Sequence, residues 1–495
     1  MEKTVEKKVG LKNKMADNPP TIGPSKSSPP LSHDHKHTLP VIIAGAGPCG
    51  LVTALTCQNS GVPFVIYERA AADKLCSNAG SAFDMAPTAI KILENELGLT
   101  DGLDATIVPF DYMYNADMTG KHLHTYNIKD LGGDEKKITD SRSFGSASRS
   151  GLQLVLLDAL GLKDEKGNVK EDPNGILRCG VAVKEYQNYQ RDDDTGTDGF
   201  VQVQLSNGTT LKGSVLLACD GIHSGVRKHM YRNIEDPLNY CGQICWWGKT
   251  TVEQGSALDR ELQRIDGKMQ GNVAISLIGT SKKPGGFYSC EVSENVHAWA
   301  FTIEEKKVPG ANTSNDLTRR GGTVLTGDDK RRDIDRAVSD SAAVLRLFVD
   351  NTPDITRAGF FDRANLDLAY VDGRVALLGD AAHPQSPIMG QGANMAIVDG
   401  YVAATRLAAA MKKNDNFRIE QALMDYDSKK RRKDNNIVIK QGRKYGSWFV
   451  SHHWFTCWAM GKVTKYMPAS ALISFLVSGD KSNKNFVDAM KKDLE

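Results

Sequence analysis

The stretch Leu39 to Glu68, LPVIIAGAGPCGLVTALTCQNSGVPFVIYE, decides the fold of the 495-residue chain. Leu39-Pro40-Val41-Ile42-Ile43-Ala44 is an apolar run of strand length, and it breaks at once into Gly45-Ala46-Gly47-Pro48-Cys49-Gly50. Leu51 to Ser60 then has helical character, and after Gly61 a second strand, Phe64-Val65-Ile66-Tyr67, ends on Glu68. Strand, glycine turn, helix, strand and acid in this order make a dinucleotide-binding βαβ unit. Gly45 makes the tight turn, Gly47 lets a pyrophosphate approach the helix start, and Gly50 lets helix and strand pack closely. Glu68 stands where it would accept from a ribose hydroxyl.

Two later elements repeat the pattern of a buried strand ending in an acid. Val215-Leu216-Leu217-Ala218-Cys219 runs into Asp220-Gly221, with Ser224 and Arg227 close behind. That arrangement suits a second ribose or phosphate contact, and equally a capped helix start. Arg374 to Tyr401, RVALLGDAAHPQSPIMGQGANMAIVDGY, opens with the strand Val375 to Leu378 and reaches Gly379-Asp380. Pro384 and Pro387 hold the next residues extended before Gly390-Gln391-Gly392, which begins a helical run from Ala393 to Met411. Backbone N–H groups and the positive end of that helix would stabilise an anion in front of Pro387.

Elsewhere the chain reads more plainly. Residues Met1 to about His37 are rich in Lys, Pro and Ser and are expected to be disordered, and the His33 to His37 cluster reads as solvated. Ser81 to Leu97 has a helical pattern, clearest from Ala86. Arg149 sits at the mouth of an amphipathic helix, Leu152 to Leu160, as a surface cation or a phosphate partner. From Leu238 to about Leu368 alternating, aromatic-rich segments predict a mainly antiparallel sheet, with Gly310 to Asp333 a loop. Trp246 and Trp247 lie on it as neighbours that alternation sends to opposite faces, candidates for core packing or a substrate wall. The helical tail carries a basic patch, Lys429 to Lys433, then Trp448, Phe449, His452, His453, Trp454, Phe455 and Trp458. Lys462 and Lys465 interrupt that run short of the ~20 apolar residues of a spanning helix, leaving a membrane-interface role, a cap on the substrate pocket or, more commonly, a helix packed on its own protein.

A net charge of +2 gives no argument for nucleic acid, and 40% hydrophobic with 25% charged residues describes an ordinary globular protein. Nine cysteines without a CxxC pair read as buried thiols of a reducing compartment, with no zinc or other metal site expected. No secretory apolar run opens the chain, so it is expected to be intracellular, cytoplasmic or peripheral to an organelle membrane.

The three glycine-acid elements in this order resemble those of the single-component FAD-dependent monooxygenases, which include aromatic hydroxylases, kynurenine 3-monooxygenase and zeaxanthin epoxidase. The resemblance covers roughly Leu39 to Met411. It implies an α/β protein: a Rossmann-like FAD-binding domain of the GR2 type in two parts (38–237 and 369–412), an inserted mainly antiparallel substrate domain (238–368) and a helical C-terminal region (413–495). By the same resemblance Gly45, Gly47, Gly50, Glu68, Arg149, Asp220, Gly221 and Asp380 would hold FAD. Pro387, Gly390, Gln391, Gly392, Ala393 and Asn394 would lie beside the flavin ring. It further implies hydride transfer from NADH or NADPH, then O2 addition at flavin C4a to give a hydroperoxide that oxygenates an apolar, aromatic or alkene substrate. No catalytic base is evident; His383, with Trp246 and Trp247, is a candidate substrate contact. Alternatives on the same scaffold are a polyprenyl reductase and a flavin-binding protein without catalysis. A flavin halogenase would carry WxWxIP, whereas here Trp246-Trp247 is followed by Gly248-Lys249.

Overall fold

Val41–Ala44, Val215–Ala218 and Val375–Leu377 are apolar throughout because they are covered on both sides, and they lie side by side as parallel strands. The computed structural model describes residues 39–495 except 77–81, 129–143, 171–174, 191–198, 235–237, 268, 270, 309–322, 326–327, 365–366, 413–415 and 477. The tail expected to be disordered and its histidine cluster lie outside the described residues.

Phe64–Tyr67 pairs parallel with the other edge of Val41–Ala44, Leu177–Arg178 follows it, and Val371–Asp372 closes the opposite edge of a six-stranded sheet. Registers pair Ala44 with both Ala218 and Tyr67, and Ala218 with Leu377. The four strands therefore end at one level. Gly45, Glu68, Asp220 and Gly379 all emerge from the same carboxyl edge, where ligands of such sheets bind. The helices Pro48–Asn59 and Gly392–Lys412 pack against each other closely enough that a Cβ on Gly400 would come within 2.7 Å of the Cys49 carbonyl.

A second sheet has eight strands, in the order Thr323–Leu325, Ile355–Arg363, Leu238–Thr251, Val296–Glu304, Gly286–Ser293, Val273–Ile278, Tyr112–Asp117 and His122–Asn127. All its pairings are antiparallel except that of Val273–Ile278 with Tyr112–Asp117. Two of its strands thus come from residues read as part of the 38–237 segment, because that one parallel pairing draws Tyr112–Asn127 across. Helices Ala257–Asp266, Asp328–Val338 and Ala343–Asp350 contribute to the core on one face, where Leu258, Ile334 and Phe348 meet Trp246, Phe287 and Phe301. The helix from Asp328 replaces the end of the expected loop. After Lys412 the chain is helical to Leu494, in Asn416–Tyr426, Lys429–Phe449, Trp454–Tyr466, Ala469–Leu476 and Ser478–Leu494. The α/β class, the mainly antiparallel second sheet and the helical C-terminal region agree with the sequence reading.

The helical pattern from Ser81 resolves differently. Ala82–Met85 is a strand paired with Gly145–Ser148, and the helix begins only at Pro87, whose fixed φ suits a first helical position.

Candidate active site

The glycine turn has the geometry that close phosphate approach requires. Gly45 has φ +102°, and a Cβ there would lie 2.4 Å from the Cys219 carbonyl oxygen; one on Gly50 would lie 1.9 Å from the Gly45 carbonyl oxygen. A Cβ on Gly47 would meet nothing within 4 Å, so this residue faces open space. Gly47 also caps helix Pro48–Asn59, and no side chain caps that helix in its place. The N–H groups of its first turn are thus available to an anion. Glu68 closes the turn by accepting from Ala46 N–H at 2.7 Å and Ala70 N–H at 2.7 Å. Two lone pairs of that carboxylate remain for a ribose hydroxyl. Gly50→Ala is expected to destabilise the protein by about 1–3 kcal/mol through overpacking and to abolish added stabilisation by FAD. Thermal melts with and without FAD check this.

The second and third elements are stapled together by one buried arginine. Arg227 donates from Nη1 to the Asp380 and Ala381 carbonyls (3.3 and 3.2 Å) and from Nη2 to the Ile222 carbonyl (2.5 Å). Asp220 accepts from Gly225 N–H at 2.8 Å and Val226 N–H at 3.3 Å through one oxygen; its Oδ1 is buried with no hydrogen-bond partner among the described residues. Burial raises the Asp220 carboxyl, opposed by Ser224, these N–H groups and Arg227. An orphaned acceptor at this depth fits a hydroxyl donor from a bound ligand. Desolvation by the surrounding protein raises the Asp380 carboxyl, opposed by the charges of His383, Arg227 and Arg149, while Asp380 and Arg149 are both exposed. Asp380 Oδ1 also lies near the start of helix Gly392–Lys412, 3.9 Å from where a Cβ on Gly392 would stand. Uncapped helix start, orphaned acceptor and paired cations fit a pyrophosphate-bearing, hydroxyl-rich cofactor such as FAD.

The turn Pro387–Met389 leaves Pro387 exposed and ends on Gly390, which has φ +61° and would bring a Cβ to 2.8 Å from Asp84 Oδ2. Asn394 is fully engaged: it accepts from Ala86 N–H (2.8 Å) and donates to the carbonyls of Asp84 (2.8 Å) and Gly390 (2.9 Å). Its part is to hold the strand Ala82–Met85 against the glycine turn, so backbone groups of Gly390 to Ala393, and not this side chain, are what the loop offers a ligand. Gln391 packs towards Gly479 of the last helix.

Asp84 is a residue that sequence reasoning missed. It stands beside Gly390, and Tyr288 Oη, reaching over from the eight-stranded sheet, donates to its Oδ1 at 3.3 Å. Burial pushes its carboxyl up to about 6, with the Tyr288 hydroxyl pulling the other way, while burial and then Asp84 push the Tyr288 phenol far up. A carboxyl poised near neutrality beside a phenol is suited to accepting or passing a proton.

The two tryptophans separate as alternation requires. Trp246 is fully buried in the helix-covered core, stacked on Phe301 at 5.8 Å, and does not reach this site. Trp247 points to the other face, in one cross-strand row with Ala300 and Tyr288. On that face Lys249 reaches Ser150, beside Arg149, at 3.3 Å, and burial lowers its ammonium. Trp247 is therefore the better substrate-wall candidate. His383, the other candidate, is fully buried, with Nε2 2.5 Å from Asp399 Oδ2. Asp399 also accepts from Arg431 (2.8 Å), Tyr426 (3.0 Å) and Gly379 N–H (3.0 Å). A shallow cavity of about 250 Å³ lined by Tyr114, Glu261, Arg264 and Leu277 shares no residue with these motifs.

A family model described as an FAD binding domain matches residues 313–438, the span that holds Gly379-Asp380 and Gly390 to Asn394. The chain is 25% identical over 436 residues to an aurachin C monooxygenase/isomerase of Stigmatella aurantiaca, covering 87% of this chain and 95% of the relative. It is 25% identical over 409 residues to a chloroplastic zeaxanthin epoxidase of Prunus armeniaca, covering 79% of this chain and 53%, about half, of that protein. The crystal structure of Klebsiella pneumoniae HpxO complexed with FAD and uric acid superposes with a TM-score of 0.68 at 21% identity, over 90% of this chain and 97% of that one. That likeness establishes the fold. The resemblance carried by the three glycine-acid elements holds across most of the chain.

Proposed function

We propose that this FAD-dependent monooxygenase consumes NADPH or NADH and O2 to hydroxylate an electron-rich aromatic substrate with an apolar body. Asp84 beside Gly390, bridged to Tyr288 of the second sheet, is the observation that carries the reading. Bound FAD would supply the redox chemistry, taking a hydride from the nicotinamide and activating O2. The chain's own residues do the rest. The Gly45 to Gly50 turn, Glu68 and Arg149 would hold the tail of FAD, Asp220, Gly221 and Asp380 its middle, and Gly390 to Ala393 would lie beside its ring.

Trp247 and the Pro387 turn shield the reacting face from water, which an activated oxygen species requires. Asp84 accepts the proton of a phenol or comparable acidic group, so that the ring is most electron-rich when oxygen arrives. An alkene, such as the name of the epoxidase relative suggests, would need no such base. FAD-loaded protein should therefore oxidise NAD(P)H in step with the gain of one oxygen atom by phenolic candidates, read by mass spectrometry. Equal turnover of isoprenoid alkenes, with none of phenols, would overturn the aromatic assignment. No NAD(P)H oxidation with any candidate, despite bound FAD, would return the protein to the flavin-binding class.

A further inference from the structure

We infer that the two helices Lys429–Phe449 and Trp454–Tyr466 form a docking face for an anionic lipid bilayer, beside the entrance to the candidate site. Large apolar side chains are exposed together here: Trp448 (39%), Trp454 (66%), Phe455 (53%), Trp458 (56%) and Tyr466 (66%). Their rings contact one another, Phe455 stacking on Trp458 at 5.9 Å and Trp454 meeting Phe455 edge-on at 5.8 Å. A water-exposed cluster of this kind needs a partner.

Charge names the partner. Residues 435–479 contain no Asp or Glu. Lys444 sits over Trp448 at 4.8 Å, and Lys462 and Lys465 over Tyr466 at 5.6 and 5.5 Å. Tryptophan and tyrosine with neighbouring lysines, in a segment without a carboxylate of its own, match the boundary between acyl chains and anionic headgroups. A protein partner would more often be met by a surface of mixed charge. Among the described residues no helix is long and apolar enough to cross a membrane, so the face lies on the bilayer.

The same helices border the candidate site. Phe449 packs so tightly on Gly286, at the start of the Tyr288 strand, that a Cβ there would come within 2.0 Å of its ring. Gly446 lies against Ser386 and Ile388 of the proline turn, and Tyr126 Oη donates to the Thr464 carbonyl at 2.6 Å. A bilayer seated on this face would hand an apolar substrate to the site, which makes the substrate a membrane-dissolved aromatic. That last step rests on the proposed hydroxylation; bilayer binding does not.

Sedimentation of FAD-loaded full-length protein with vesicles tests it, using phosphatidylcholine alone or mixed with phosphatidylserine. The wild type should sediment with the mixed vesicles, less so as salt rises, and poorly with phosphatidylcholine alone. Trp454→Ser/Phe455→Ser/Trp458→Ser should bind at least about tenfold more weakly, and Lys462→Glu/Lys465→Glu should lose the preference for phosphatidylserine. Unchanged FAD content and melting temperature establish that both variants are folded. No sedimentation of the wild type, or equal sedimentation of the triple variant, overturns the inference. So does lipid-free dimerisation that the triple variant abolishes, since a second copy would then cover the face. Membrane binding without oxygenation of any aromatic would retain the docking face and remove only the hydroxylation reading.

Discussion

Asp399→Ala is expected to destabilise the protein by about 3–5 kcal/mol, among the largest effects of any single substitution. The carboxylate is fully buried, and Arg431, His383 and Tyr426 all converge on it, with Arg431 and His383 buried as well. Its removal leaves the Arg431 guanidinium without its counter-charge in the interior. Burial alone would raise the Asp399 carboxyl, but His383 and Arg431 outweigh burial and hold it well below the usual carboxylate range. A depressed folded value means that the stability it contributes is fully present above the unfolded value of about 4 and is lost as pH falls below that. Urea unfolding at neutral pH measures the loss, and the variant's acid transition should be shallower than the wild type's. A change under about 1 kcal/mol would show that the network does not hold these helices together. The effect reaches the site because Arg431 anchors the helix whose Gly442 and Gly446 rest on the Pro387 turn.

Asp84→Asn is expected to lower turnover of a phenolic substrate by about 10²-fold or more while FAD content stays unchanged. In the wild type, turnover should rise as pH passes through about 6, where this carboxyl ionises, and the variant should lack that rise. The stability change should have the opposite sign. A folded value raised from 3.8 to about 6 means that the folded state holds the proton more tightly. The resulting stability is present below the unfolded value and is lost as pH climbs from about 4 to about 6, after which the half-buried anion, partly screened by solvent, costs on the order of 2 kcal/mol. At pH 8 the asparagine variant should therefore melt no lower than the wild type, and higher if its amide finds partners. A variant equally active on phenols would remove Asp84 from the mechanism.

The parts of this architecture that were legible in sequence are those where burial on both sides dictates composition. Val41 to Ala44, Val215 to Cys219 and Val375 to Leu378 are unbroken apolar runs ending in glycine and acid, so their strands and the cofactor edge could be read directly. Asp84 could not. Its segment has helical spacing, and the strand exists only because Gly145–Ser148 comes back to pair with it. Its chemistry depends on Gly390 and Tyr288, both far along the chain. Trp246 and Trp247 were legible as opposites but not as to which faced the site, because that depends on where the covering helices pack. The surroundings of His383 were hidden for a related reason: its place in a motif gives no hint that Asp399, in the following helix, meets it in the interior. Asp399, Tyr426 and Arg431 sit in helices whose apolar spacing hides the few charged positions that meet inside.

The edge where Gly45, Glu68, Asp220 and Gly379 meet is completed in chain order, with Gly379 last. Val41–Ala44 and Phe64–Tyr67 leave the ribosome early, whereas Val375–Leu377 follows only after tens of seconds, at about 5–20 residues added per second. Until then no nascent chain has the carboxylate of Asp380 or the turn at Gly390, so the Gly45 turn exists without its counterpart at Gly390. A ligand that needs both turns can therefore be captured only after Gly390 has emerged, late in translation.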